Sequence, residues 1–395
     1  TGAVMNYAFG DTTKGDYAYE SAPNSTDLTW ETVITKNIGL DLGFLNNRLN
    51  VSFDAYIRDT KDMLMAGKTL PGVYGASSPR MNVADLRTKG WEASVTWGDS
   101  FTLASKPFNY RIMAGIGDNT SKVTKYDNPN RTLTDPYEGQ QLGEIWGYVV
   151  DGYFKTDEEA RNYKVDQSFV NQMINASALD NGLHAGDLKF VDLDGNNKIE
   201  QTTSANDRKD MKVIGNSLPR YNYNFGISAD WYGIDFSVLF QGIGKQNWYP
   251  GAETSMFWGP YSRPYASFIP SDFMSQVWSE ENTNAYFPRP RGYVALGSNR
   301  ELAVVNTKYL QNLAYCRLKN LSIGYTMPDK WLSKIGFEKI RVYFSGENLL
   351  TFTKLHSDYI DPEQASASNS WKTSKSDANI YPWAKTYSFG VDITF

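Results

Sequence analysis

A single cysteine, Cys316, in 395 residues excludes an intramolecular disulfide framework. The only two histidines, His184 and His356, lie far apart in the chain and offer no metal-ligand spacing. No run of about 18 apolar residues occurs, so no transmembrane helix is predicted. The opening "TGAVMNYAFGDTTKGDYAYE" lacks both the basic and the apolar region of a signal peptide and does not begin with Met; it reads as the front of a processed or incomplete chain. Charge of one sign is also missing. There are 39 Lys and Arg against 44 Asp and Glu, a net of -5, which argues against nucleic acid as a partner. Signatures of catalysis are lacking too. No nucleophile elbow or P-loop is present, "GIGK" at 242–245 sits at the end of a strand pattern, and the acidic residues are too scattered for a glycosidase pair. No enzyme is expected, and Cys316, inside a strand pattern, reads as a packing residue.

Aromatic residues are abundant, at 14% of the chain, with 26 Tyr, 20 Phe and 11 Trp. That excess fits a carbohydrate-binding surface or the aromatic girdles of a membrane barrel. Period-two alternation, the mark of a strand with one apolar and one polar face, recurs along the chain. "TKNIGLDLGF" puts Ile38, Leu40, Leu42 and Phe44 on one face; after a turn at 45–48, Leu49, Val51, Phe53, Ala55 and Ile57 follow suit. "KGWEASVTW" and "FNYRIMAGIG" flank a turn predicted at 98–101. "YNYNFGISADW" and "IDFSVLFQG" flank another at 232–233. "RLKNLSIGYTM" and "KIRVYFSGENLLTF" are joined by a helix-like "PDKWLSKIG", and "YSFGVDITF" closes the chain. With the segment "GEIWGYVVDGYF", about ten strands are expected.

Short turns alternate with long connections near 66–80, 118–140, 151–212, 243–308 and 353–384. A transmembrane antiparallel β-barrel predicts that alternation, with short turns on the periplasmic side and long loops outside. A mean hydropathy of -0.49 looks soluble, but lumen-facing polar residues dilute the apolar signal of barrel strands. The competing fold is a soluble β-sandwich or propeller. Against it stand the strand lengths, the polar faces bearing Asp54, Arg58, Glu92, Arg111 and Asp235, and aromatics near strand ends at Trp97, Phe108, Trp231 and Phe395.

The segments "NIGLDLGFLNNRLNVSFDAYIRDTKDML", "NVADLRTKGWEASVTW", "GEIWGYVVDGYFKTDEE", "VIGNSLPRYNYNFGISADWYGIDFSVLFQG", "YCRLKNLSIGYTMPDKWLSKIGFEKIRVYFSGENLLTFTK" and "YPWAKTYSFGVDITF" resemble, in order, the C-terminal barrel of the SusC/RagA family. These are TonB-dependent outer-membrane transporters of Bacteroidota. The resemblance implies that residues 1–395 are the C-terminal part of a plugged barrel of about 22 strands. The plug and the earlier strands would lie elsewhere. It further implies nutrient import, of an oligosaccharide or peptide. A SusD-like surface lipoprotein would be one partner, the TonB–ExbB–ExbD complex would act through the missing N-terminal part, and outer-membrane lipid would surround the wall. Phe395 would be the terminal aromatic that signals barrel assembly. The rival readings are a TonB-dependent receptor for iron chelates and a soluble, calcium-stabilised glycan-binding β-protein. The soluble reading requires the faces bearing Leu40, Phe53, Val95 and Ile227 to be buried.

"FVDLDGNNKIE" is the sharpest local motif. Asp192, Asp194 and Asn196 fall at positions one, three and five of a calcium loop, and Lys198 would offer its carbonyl at position seven. Positions six and twelve hold Asn197 and Thr203 where an EF-hand loop wants Gly and an acid, so Asp207 or Glu200 is expected to close the shell. A structural calcium ion is one reading, and an Asx-rich turn is the other. "NWYPGAETSMFWGPYSRPYASFIP", within the loop 243–308, concentrates Trp248, Tyr249, Phe257, Trp258, Tyr261, Tyr265 and Phe268. Such aromatics could stack on a ligand or anchor a partner protein, or simply pack on one another. Tyr359 and Trp371 are weaker candidates of the same kind.

Overall fold

The alternating segments form nine long strands of one antiparallel sheet in a computed structural model that describes residues 2–8, 14–18, 25–67, 71, 73, 78–171, 182–262, 269–297, 300–332, 336–365, 375–376 and 381–395. The strands are β1 (Thr32–Phe44), β2 (Leu49–Ala66), β3 (Arg80–Leu103), β4 (Lys106–Lys125), β5 (Arg220–Trp231), β6 (Ile234–Lys245), β7 (Tyr315–Thr326), β8 (Lys339–Thr353) and β9 (Thr386–Thr394). Each pairs with its sequence neighbour, so the sheet is a simple meander from β1 to β9. Both outer edges are without a ladder partner among the described residues, and β1 is exposed on both faces along its length.

Register makes the two faces chemically distinct. One row crosses seven strands as Leu42, Val51, Val95, Ala114, Phe225, Phe240 and Leu318. The row one residue away on the opposite face reads Asp41, Ser52, Ser94, Gly115, Asn224, Gln241 and Arg317. Leu40, Phe53, Val95 and Ile227 are all exposed, at 54%, 42%, 39% and 43%. The soluble reading required them buried and is overturned. A continuous exposed apolar band over a polar inner face is what lipid on one side and a wet lumen on the other demand. On the inner face Arg341 on β8 reaches Asp235 on β6 (2.6 Å), across the intervening β7, and Asp392 on the adjacent β9 (3.4 Å).

The connections sort by end. Turns 45–48, 104–105, 232–233 and the segment 327–338 lie at one end, while 67–79, 126–219, 246–314 and 354–385 lie at the other. At the short end Tyr232 and Gly233 both take positive φ, as a two-residue hairpin matched to strand twist requires. There the ring of Phe395 lies 5.4 Å from that of Phe337, and the Glu338 N–H bonds the Thr394 carbonyl.

Two sequence expectations need correction. The turn predicted at 98–101 is strand: β3 runs on to Leu103, and Ala104 and Ser105 make the hairpin. Gly-Asp-Ser resembles a turn locally. Cross-strand packing overrides it, with Phe101 paired to Phe108 at a ring distance of 5.0 Å, and Arg48 bonded to Asp99 at 3.1 Å. Trp97 accordingly lies several pairs above the turn, not at the strand end. The second concerns the placing of one segment. "GEIWGYVVDGYF" contributes no wall strand; Glu144–Tyr148 pairs with Met211–Asn216, and Val150–Tyr153 pairs with Leu188–Phe190, outside the wall. The described wall has nine strands, in keeping with the expected number of about ten, and only the placing of this segment in the wall is corrected.

Candidate functional site

The apolar core of this protein lies outside the wall. Connections 126–219, 246–314 and 354–385 pack together over the long-loop end around Trp248, Tyr249, Phe257, Trp258, Phe287 and Tyr309. Polar ends of these rings are satisfied internally. Tyr249 Oη donates to the Leu302 carbonyl (2.8 Å), Trp258 Nε1 to Gly251 (2.9 Å) and Tyr261 Oη to Pro288 (2.7 Å). Trp258 meets Tyr309 edge-on at 5.2 Å. Burial drives the phenols of Tyr249 and Tyr309 well above the ordinary tyrosine range.

This placement corrects the aromatic-loop expectation. Trp248, Tyr249, Trp258 and Tyr261 are at most 1% exposed, so their rings hold the cap together and present no stacking face to a ligand. Tyr265, Phe268 and Trp371 lie outside the described residues. Tyr359 is 48% exposed at the cap surface. The alternation between Pro, Gly and aromatics is therefore the signature of a loop that folds as a small core.

Two ion clusters lock the cap. Arg317 on β7, 2% exposed, donates to Asp361 (2.6 Å), Glu363 (2.7 Å) and Thr351 (3.0 Å), and Lys319 joins Glu363 at 2.8 Å. This fastens connection 354–385 to the wall. Inside the cap, Arg291 stands between two carboxylates without exposed surface, bonding Asp187 and lying 3.5 Å from Glu301. Burial pushes both carboxyls upward, Glu301 to about 7 with repulsion from Asp187 adding to it, while Arg291 opposes the shift at both. No sequence pattern announced this triad, because Asp187 lies in connection 126–219 and Arg291 and Glu301 in 246–314, about a hundred residues on, and they meet only when the cap is folded.

The acidic turn has the geometry of a cation loop. Asp192 accepts from the N–H groups of Gly195 and Asn197 (both 2.7 Å), and Asp194 and Asn196 accept from residues two further on. Asn197 takes φ 61°, the left-handed conformation that position six of such a loop needs and that Asn tolerates. Lys198 turns its side chain to Glu200 at 3.7 Å. Among the described residues, Asp192, Asp194 and Asp210 bring carboxylate oxygens within 4.8 Å of one another. Asp207, expected to close the shell, instead points to Lys209 (3.5 Å) and is largely exposed. Asp210, not Asp207, is the acid that joins Asp192 and Asp194, fully buried and accepting from Leu193 (2.8 Å) and Glu200 (2.7 Å). Its pKa is raised by burial and by the neighbouring Asp194 and Asp192. Sequence spacing missed it because Thr202 bonds the carbonyls of Ser204 and Asp207, gathering the intervening residues into a tight turn.

His184 and His356 have no part in that cluster. His356 stacks on Tyr286 at 3.5 Å and bonds Gln276, and burial lowers its pKa.

With the fold and these clusters in place, comparison with known proteins is informative. The profile of the family described as TonB dependent receptor-like, beta-barrel matches residues 3–349. TonB-dependent receptor P3 of Formosa agariphila is 28% identical over 388 residues, covering 93% of this chain and 34% of that protein. TonB-dependent receptor SusC of Bacteroides thetaiotaomicron is 24% identical over 393 residues, covering 98% of this chain and 34% of its own length. The chain thus spans about a third of the length of these curated relatives. The RagAB peptide importer in its "open-open" state superposes with a TM-score of 0.69 at 22% identity, over 100% of this chain and 38% of that one, a likeness of fold.

Proposed function

Because the chain belongs to the family of TonB dependent receptor-like β-barrels, we propose that it supplies wall and outer cap to an importer of oligosaccharides or peptides. It is an outer-membrane protein. In the proposed importer a SusD-like lipoprotein delivers the nutrient at the cell surface. TonB–ExbB–ExbD supplies energy through parts of the protein beyond these residues. The observation that carries this reading is the gathering of the long connections at one end of a lipid-facing wall, where described parts of 126–219, 246–314 and 354–385 fold into a cap with its own core. A receptor needs an outer surface that is shaped and rigid, and loops with such a core provide one.

The test is electrophoresis of the full-length protein extracted from outer membranes, with and without boiling, followed by mass spectrometry. A heat-modifiable band carrying these peptides and co-purifying with a surface lipoprotein is expected. A band that stays in the membrane but brings no lipoprotein would overturn the partner, and uptake of iron chelate by that protein would overturn the substrate class.

Calcium at the acidic turn belongs to the same proposal. Asp192, Asp194 and Asp210 supply hard oxygen donors, and the ion would stiffen the turn without taking part in transport chemistry. Calcium is expected to slow hydrogen exchange across 192–210, by up to about 2.7 kcal/mol of added stability at a hundredfold excess over Kd. Asp194→Asn should remove the response, and Asp207→Asn should leave it. The opposite ranking would return Asp207 to the shell and exclude the assignment to Asp210.

A further inference from the structure

Beside the acidic turn, the connection 126–219 encloses a cavity of about 410 Å³ that none of the roles above uses. That is within the ~300–1,000 Å³ common for small-molecule sites. Its floor is the ribbon in which Trp146 faces Val213 across the pair, and Val213 is 44% exposed. Its rim carries Arg131, Arg208 and Lys212. All three are exposed, and none has a carboxylate within ion-pair distance among the described residues. The Arg131 guanidinium lies over the Tyr137 ring at 5.9 Å. Of the two acids in the lining, Glu144 is engaged by the Tyr137 hydroxyl (2.6 Å) and the Gln141 N–H (2.9 Å), which leaves Glu138 at the edge.

The rim is built, not incidental. Buried Asn128 binds the carbonyls of Thr132 (2.9 Å) and Pro136 (3.0 Å), and Ala205 N–H bonds the Arg131 carbonyl (2.9 Å). These bonds bring the backbone at Arg131 to the segment that leads to Arg208. Three cations line one cavity with no carboxylate at ion-pair distance among the described residues, and an anion entering it would find their charge uncompensated. A free inorganic anion would leave the Trp146–Val213 floor uncovered. An acidic peptide side chain would bring its charge on a flexible stem with no flat apolar face. A sugar ring bearing an acid group meets both demands, with C–H groups on the indole side and its charge among the guanidinium and ammonium groups.

We propose that this cavity is a binding subsite for an anionic sugar unit, carboxylated or sulfated. The assignment rests on the importer reading for its biological meaning, and it narrows the substrate class of that importer to acidic glycans.

The test is calorimetric titration of the full-length protein in detergent with four probes. These are a uronic acid oligomer, a sulfated galactan oligomer, a neutral maltooligosaccharide of equal length and an oligoglutamate peptide. One or both acidic glycans should bind more tightly than the neutral one, with affinity falling as salt rises. Arg208→Glu with Lys212→Glu should weaken that binding at least tenfold, while the heat-modifiable band is retained. Which acidic glycan wins distinguishes carboxylate from sulfate. Equal binding of the neutral sugar, preference for oligoglutamate, or an unaffected double variant would each overturn the subsite. Co-purification of the lipoprotein is read separately, so loss of the subsite and loss of the importer reading give different results.

Discussion

Ile227→Arg is expected to cut sharply the yield of folded protein in the membrane, while Asn224→Lys on the opposite face of the same strand leaves it near normal. Ile227 sits at mid-height on β5 between Ile112 and Val238, with Phe225 and Phe240 stacked 4.8 Å apart beside it. At the short end the same strand finishes on Trp231, paired with Phe108, where an interfacial girdle belongs. A guanidinium at the level of Ile227 must enter hydrocarbon, snorkel or thin the bilayer, at a cost of about 2–4 kcal/mol. Asn224 looks the other way, into a polar hollow of the inner wall lined by Asp54, Tyr56, Glu92 and Asn222, where a lysine finds carboxylates and water. The check is the fraction of heat-modifiable protein recovered from outer membranes. Equal recovery of both variants would mean that Ile227 does not face lipid, and the assignment of faces would have to be reversed or abandoned.

What could be read from sequence follows from the range of the forces involved. Wall strands were legible because lipid and lumen impose a two-residue period that each segment carries on its own, as in Leu40, Leu42 and Phe44 against Asp41 and Gly43. Their ends were less so. Gly98-Asp99-Ser100 has the local chemistry of a turn, and only the pairing of Phe101 with Phe108 on the next strand extends β3 past it. The cap was the least legible part. Trp248, Tyr249, Trp258 and Tyr261 look alike in sequence whether they stack on ligands or on each other, and the choice is made by partners such as Phe287 and Tyr309 many residues away. In the acidic turn, Asp192 and Asp194 follow a local spacing rule, whereas Asp210, which the fold brings beside them, arrives by a chain reversal that no spacing rule reaches.

The charged triad in the cap makes the other large prediction, with a definite sign in pH. Arg291 is the cation that Asp187 and Glu301 share, and among the described residues each carboxylate has one backbone donor besides it, His184 N–H at 2.9 Å and Leu188 N–H at 3.3 Å. Arg289 and the hydroxyls of Tyr153, Tyr249, Tyr261 and Tyr309 are the other charged and titratable groups that face the pair among the described residues. Replacing Arg291 by Met leaves two buried carboxylates uncompensated, a loss of about 3–5 kcal/mol to the cap. The wild-type site is itself uneven, since two acids share one cation. The Glu301 pKa is raised from its ordinary 4.5 to about 7, so the folded cap holds a proton that the unfolded chain releases. The contribution of Glu301 is therefore fullest below pH 4.5 and is lost as pH rises through about 7, in the opposite sense to Asp157, Glu159 and Asp166, whose lowered pKa values favour the cap above the ordinary carboxylate range. Hydrogen exchange at 182–190 and 289–302 in the full-length protein should quicken across that window after correction for intrinsic rates. The amides of β5 and β6 should not follow. Glu301→Gln fixes the neutral form and should flatten the dependence, and combined with Arg291→Met it should recover part of the loss. If cap protection instead rises with pH between 4.5 and 7, Glu301 is held ionised by Arg291, and the triad is a satisfied ion pair with a spare carboxylate, not a proton-holding site.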